Sequence, residues 1–321
     1  MLPDLAAIER AAALVHRVMA PSPQLHWPLL SARLGAEVWV KHENHNPTGA
    51  FKIRGGLVYL ARLRAEHQDL LGIIAATRGN HGQSLACAAR RLGLRAVIVV
   101  PHGNSVEKNA AMRAFGAELV EHGHDFQAAL EQAQRLARAE RLHFVPSFDR
   151  PLVEGVATYA LELFRALPDL ASVYVPIGLG SGICGVIAAR DALGLATRIV
   201  GVVAANAPTY ALSFQAGHSV PTPSAKTFAD GVACRVPVDA AVDHILRGAD
   251  RIVRVSEREI ADAIRYYYTD THNVAEGAGA APLAAAAQEA ARLRGQKIGL
   301  VLTGGNIDRP LYARILNGET P

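Results

Sequence analysis

A lysine becomes a nucleophile only where its ammonium is discouraged from keeping its proton, and Lys52 sits in such a place. It belongs to the segment Asn46-Pro47-Thr48-Gly49-Ala50-Phe51-Lys52-Ile53-Arg54-Gly55-Gly56. Pro47 and Gly49 suit a turn, after which Phe51–Leu60 can run as a helix. An amine in the first helical turn feels the positive end of the helix dipole, which disfavours its charged form. Partly desolvated as well, it can condense with an aldehyde. Taken alone, the same residue reads more readily as a solvated surface amine, the commoner fate of lysine.

Three further segments could bind what such an amine attacks. Thr77-Arg78-Gly79-Asn80-His81-Gly82-Gln83 lies between an apolar run and an alanine-rich stretch. A turn leading from a strand into a helix leaves backbone N–H groups free for an anion such as a substrate carboxylate, and Asn80 can donate to an oxygen. Asn80 is equally suited to capping that helix. Gly178-Leu179-Gly180-Ser181-Gly182 repeats the arrangement with glycines that let the backbone close around a phosphate. It is neither a Walker loop nor G-x-G-x-x-G, since the third glycine comes one residue early. Thr303 ends the last apolar run, before Gly304-Gly305-Asn306, where a buried hydroxyl could bond a ring nitrogen or simply a nearby backbone group.

The elements that must position these residues follow one rhythm, a short apolar run, a glycine-containing turn and an alanine-rich helical stretch. Leu71–Thr77 leads to Ser84–Leu92 and then Ala96–Val100; Val173–Ile177 leads to Ile183–Leu193 and then Ile199–Ala205; Ile298–Leu302 closes the series. Strands alternating with helices predict an α/β fold of parallel sheets with flanking helices. At 321 residues, half of them apolar and 19% charged, the chain is a globular protein that divides into two lobes, with a candidate boundary at Pro146–Pro151.

Composition excludes several classes. The net charge of +4 is spread out, with no basic run interleaved with aromatics, so nucleic acid is not an expected partner. Cys87, Cys184 and Cys234 have no paired spacing and suit buried thiols in a reducing cytoplasm. Asp4, Glu9 and Arg10 interrupt the N-terminal apolar residues, while Leu5, Ile8, Ala12 and Val15 have the spacing of an amphipathic helix rather than a signal peptide. No apolar stretch approaches a membrane span. The 13 histidines form no metal-ligand spacing. Tyr266–Tyr268 reads as helix packing. The chain ends soon after Asn306, so no appended regulatory domain is expected.

Taken together and in order, the four segments resemble the pyridoxal-phosphate (PLP) enzymes of fold type II, the tryptophan synthase β-like fold, and within them the threonine/serine dehydratases. Lys52-Ile53-Arg54-Gly55 matches the family's K-x-R-G, Gly79–Gln83 its G-N-H-G-Q, Gly178–Gly182 its phosphate loop and Thr303–Asn306 its S/T-G-x-N. Ala229-Asp230-Gly231 and Glu276-Gly277-Ala278-Gly279-Ala280 also fall where members carry similar stretches, and the likeness spans Pro28 to Leu316. It implies a small α/β domain over 48–147 and a large PLP-binding domain made of 1–47 with 148–321. It implies that Lys52 holds the cofactor as a Schiff base and later moves the Cα proton. Phe51, Asn80, Gly178, Leu179, Gly180, Ser181, Gly182, Glu276 and Thr303 would contact PLP, and Thr77, Arg78, Gly79, Asn80 and His81 would contact substrate. Thr303 would bond the pyridine nitrogen without a full proton, leaving a weaker electron sink that favours prompt loss of a β-hydroxyl. The family's reaction yields a 2-oxo acid and ammonia from a β-hydroxy-α-amino acid, in amino-acid catabolism, and its members are commonly homodimers.

The departures refine these expectations. Arg78 stands where relatives commonly carry serine or threonine, the second acid/base of the racemases. A permanently protonated guanidinium cannot shuttle that proton, so two-base racemisation is not expected, and Arg78 would act on cofactor or substrate. Ala204 and Tyr210 replace two acidic residues that hold a divalent cation in some relatives, so no metal is expected there. Glu154-Gly155-Val156-Ala157-Thr158 replaces A-G-Q-G-T, which points beyond threonine to a bulkier substrate such as phenylserine, or to a hydroxyaspartate. Two alternatives stay open, a PLP-dependent β-replacement synthase and a non-catalytic protein that binds a phosphate ligand.

Overall fold

The computed structural model describes residues 2–321. Its strands are β1 (Gln24–His26), β2 (Glu37–His42), β3 (Gly72–Ala76), β4 (Arg95–Val100), β5 (Glu118–Glu121), β6 (His143–Phe144), β7 (Ser172–Pro176), β8 (Arg198–Ala204), β9 (Arg251–Val255) and β10 (Lys297–Leu302). The helices of the first half are α1 (Leu5–Val15), α2 (Pro28–Leu34), α3 (Lys52–Glu66), α4 (Asn80–Arg91), α5 (Val106–Ala114), α6 (Phe126–Ala139) and α7 (Arg150–Ala166). Those of the second are α8 (Ser181–Ala192), α9 (Thr209–Ala216), α10 (Asp239–Gly248), α11 (Glu257–Thr271), α12 (Gly277–Gln288), α13 (Ala290–Leu293) and α14 (Arg309–Leu316). None of the described helices is long and apolar enough to cross a membrane.

Two sheets result. A six-stranded sheet runs β1-β2-β10-β7-β8-β9, parallel except for the antiparallel edge pair β1–β2. A four-stranded sheet, β5-β4-β3-β6, is parallel throughout. Every residue of β3 and of β7 is buried, as strands covered by helices on both faces require. These are the continuous apolar runs read from the sequence. Helix α1 starts where the Asp4 carboxylate accepts from the Ala7 N–H at 2.8 Å. It buries Ala7, Ile8, Ala11 and Val15. Ala12 is only half-buried, because the helix lies against both α3 and α7 and its inner face is rotated from the predicted stripe.

Backbone-to-backbone packing brings the site helices together. A Cβ on Gly155 of α7 would stand 2.3 Å from the Arg54 carbonyl of α3, and one on Gly55 would stand 2.9 Å from the Leu152 carbonyl. Helices in such contact leave no room for side chains, so the start of α3, which carries Lys52, is fixed against α7 and through it against α8. Arg54 anchors the same turn from behind. Fully buried, it donates from Nε to Glu43 Oε2 at 2.8 Å and from one terminal nitrogen to Glu162 Oε1 at 2.6 Å. Lys41 Nζ donates to Glu162 Oε2 at 2.6 Å, so two cations face two carboxylates. Removing one member of a buried, hydrogen-bonded ion group costs about 3–5 kcal/mol, because its partner is left charged and dry.

Candidate active site

Lys52 is the first residue of α3, as the turn-then-helix reading required. Its Nζ donates to Ser181 Oγ at 2.8 Å and lies 5.0 Å from the centroid of the Phe51 ring. No carboxylate among the described residues pairs with it, and desolvation lowers the amine from 10.5 to about 8. A good part of such a population is neutral near physiological pH, which a solvated lysine is not. Phe51 is held by its N–H donating to the Thr303 carbonyl at 2.9 Å and by edge contact with Tyr159.

Ser181 opens α8, and the turn ahead of it is the glycine segment. None of the N–H groups from Gly178 through Gly182 donates to a described carbonyl or side chain. Gly180 adopts φ +99°, open to glycine at little cost, and this aims the turn at the helix terminus. Unpaired N–H groups at the positive end of a helix form a seat for a phosphate. The Leu179 carbonyl is turned away from this seat, accepting from the Tyr210 hydroxyl at 3.0 Å.

Asn80 begins α4 rather than capping it from outside. Its amide nitrogen donates to Glu276 Oε1 at 2.7 Å and its oxygen accepts from Asn306 Nδ2 at 2.9 Å. One amide N–H is left over to meet a ligand oxygen. Thr77 Oγ1 accepts from the Gly79 N–H at 2.9 Å, and the N–H groups of Asn80, His81 and Gly82 have no backbone partner. His81 is buried with Nε2 unpartnered. Burial first, and then the nearby Lys52 amine, push it from 6.5 to about 3, so it is a neutral imidazole. Thr303 is 2% exposed, and its hydroxyl has no hydrogen bond to any described residue. Arg78, by contrast, is exposed and pairs with no described residue, so the structure does not bring its guanidinium into the cluster.

Lys108 was not legible as a site residue. Its Nζ lies 2.6 Å from Asp230 Oδ2 and 3.3 Å from Glu276 Oε2, and its stem crosses Gly79, where a Cβ would stand 2.4 Å from Lys108 Cδ. The two carboxylates hold the Lys108 proton more firmly than usual despite burial, while burial pushes the Glu276 carboxyl upward. Asp230 and Glu276 lie in segments noted in the sequence, but Ser105-Val106-Glu107-Lys108 reads only as a capped helix start. Ala204 ends β8, and Tyr210 is buried in α9.

The residues fit pyridoxal phosphate. An amine without a counter-ion, a seat of free N–H groups, a leftover amide N–H and an unshared buried hydroxyl match its aldehyde, phosphate, phenolic oxygen and ring nitrogen in turn. The family described as pyridoxal-phosphate dependent enzyme matches residues 15–304. The chain is 36% identical over 290 residues to an L-threonine ammonia-lyase of Thermotoga maritima, covering 90% of this chain and 72% of that one. Threonine deaminase isoform 2 of Solanum lycopersicum, in its processed form, superposes with a TM-score of 0.90 at 30% identity, covering 99% of this chain and 95% of that one. Maize serine racemase superposes with a TM-score of 0.91 at 26% identity, covering 99% and 98%.

Proposed function

The chain belongs to the pyridoxal-phosphate-dependent enzymes, and from that premise we propose that it is a dehydratase converting a β-hydroxy-α-amino acid bulkier than threonine into a 2-oxo acid and ammonia. Within the family it is a lyase of the threonine/serine dehydratase type. The observation that carries the reading is the Lys52 amine, depressed to about 8 and 2.8 Å from Ser181 at the edge of the glycine seat.

When bound, pyridoxal phosphate supplies an electron-withdrawing group that loosens the substrate's Cα–H bond. Lys52 would hold the cofactor aldehyde and, once released by the incoming substrate amine, take the Cα proton as a neutral base aimed by Ser181. Gly178–Gly182 would bind the phosphate through their N–H groups, while Phe51 and Asn80 would border the ring, Asn80 giving its spare N–H to the phenolic oxygen. Glu276 would orient that amide. Thr303 would share a hydrogen bond with the ring nitrogen without surrendering a proton. The N–H groups at the start of α4, with Thr77, Gly79 and His81, would take the substrate carboxylate. Arg78, outside the cluster, would meet the distal part of the substrate. Loss of the Cα proton and the β-hydroxyl removes one water, and hydrolysis of the resulting enamine releases ammonia. We propose 48–147 as a small lobe that moves against 1–47 and 148–321, and a cytoplasmic homodimer.

A panel of threo and erythro β-hydroxy amino acids with aliphatic, acidic and aryl side chains, assayed for 2-oxo acid, tests the substrate. Aryl substrates turning over faster than threonine are expected; threonine winning would overturn the bulkier assignment. Product that incorporates an added thiol in place of 2-oxo acid would favour a β-replacement synthase.

A further inference from the structure

Resting on the proposed assignment of Gly178–Gly182 to the cofactor phosphate, we infer that Tyr210 is a positioning residue for that seat, its hydroxyl clamping the glycine turn to the segment that leads into α10. The phenol is 1% exposed and makes hydrogen bonds at both of its capacities. It donates to the Leu179 carbonyl at 3.0 Å and accepts from the Val238 N–H at 3.1 Å. Leu179 lies in the middle of the turn, so anchoring its carbonyl outward holds that peptide plane. The Gly180 N–H shares that trans peptide plane and points the opposite way, inward. Next to it, Gly180 has little space for a different path, since a Cβ there would stand 2.6 Å from the Ala241 Cβ and 3.5 Å from the Tyr210 hydroxyl. The turn is thus bracketed by α10 on one side and by a buried hydroxyl on the other. A run of backbone N–H groups with no partner of its own repels itself, and something must keep it open for an anion. Tyr210 does so without any charge that would compete with the phosphate. The other tyrosine packed in the same core does otherwise: the Tyr159 hydroxyl reaches only the Gly182 carbonyl, at 3.3 Å.

The test measures binding of pyridoxal 5′-phosphate and of phosphate-free pyridoxal to the full-length protein stripped of cofactor, followed by absorbance. The ratio of the two affinities isolates what the turn contributes. The wild-type protein is expected to prefer the phosphorylated form strongly. Tyr210→Phe removes the hydroxyl but keeps the ring, leaving the Leu179 carbonyl and the Val238 N–H unpaired, and should cut that preference by roughly tenfold while leaving the affinity for pyridoxal unchanged. Val238→Pro deletes the other end of the clamp and should cut it less, in the same direction. Should Tyr210→Phe fail to fold, the Val238→Pro measurement decides alone. A preference unchanged in the variants, or equal weakening of both ligands, overturns the inference. A wild-type protein that binds both forms equally would instead overturn the assignment of the turn to phosphate, a separate failure.

Discussion

At the scale of single residues, chemistry rests on amines whose surroundings differ. Lys52 has a hydroxyl partner and no carboxylate, which leaves it near 8, whereas Lys108 is caught between Asp230 and Glu276 and keeps its proton. Only the first has the surroundings that the proposed base requires. The pH dependence of kcat is therefore expected to rise as the amine loses its proton, with an inflection near 8 rather than at the 10.5 of an ordinary lysine. Lys52→Ala should lower 2-oxo acid release by about a thousandfold or more while circular dichroism stays unchanged. Lys108→Met has a different signature. It leaves the buried Glu276 carboxylate facing the partly exposed Asp230 without a cation, so urea denaturation should show a loss of about 3 kcal/mol. Lys52 was legible because its helix, turn and neighbours are contiguous in the chain. Lys108 was not, because Asp230 lies 122 residues away and nothing local distinguishes it from a helix-surface lysine.

At the scale of elements, the crossing of α3 and α7 fixes the start of the helix that carries Lys52. Gly155→Ala would drive a methyl group into the Arg54 carbonyl, 2.3 Å from the ideal Cβ position, and backbone cannot rotate away as a side chain can. The expected cost is about 1–3 kcal/mol in chemical denaturation, with a change in the near-ultraviolet dichroism of the bound cofactor as α3 shifts. An unchanged stability would mean that the helices part freely. The alternation of strand and helix was plain in the sequence because β3, β4, β7, β8 and β10 are doubly covered and read as unbroken apolar runs. The edges were not. β6 is two residues long, β5 is nowhere fully buried, and β1 pairs antiparallel with partly exposed residues, so none has the composition of a core strand. Gly55 and Gly155 could not be recognised as a contact either, since the role of each depends on a helix far off in the chain.

At the scale of the whole molecule, buried neutral histidines tie stability to acidity. His81 is depressed to about 3 and His42 to about 4, both chiefly by burial. In the unfolded chain each titrates near 6.5, so between that pH and the folded values the unfolded state binds protons that the native state refuses. Stability is then complete above 6.5 and declines as pH falls towards 4, to be read as a falling urea midpoint. His81→Asn should flatten part of that slope; a variant with the slope of the parent would show that His81 takes no part.

The bridge from Lys108 on α5 to Asp230 and Glu276 joins an element of one sheet's layer to segments packed on the other. On the proposed division into lobes, widening the gap between the two sheets would draw that ammonium off both carboxylates and strain the hydrogen bond by which Glu276 holds Asn80. Opening and the loss of that amide's alignment would then be one event, and a half-open lobe would hold its ligand poorly.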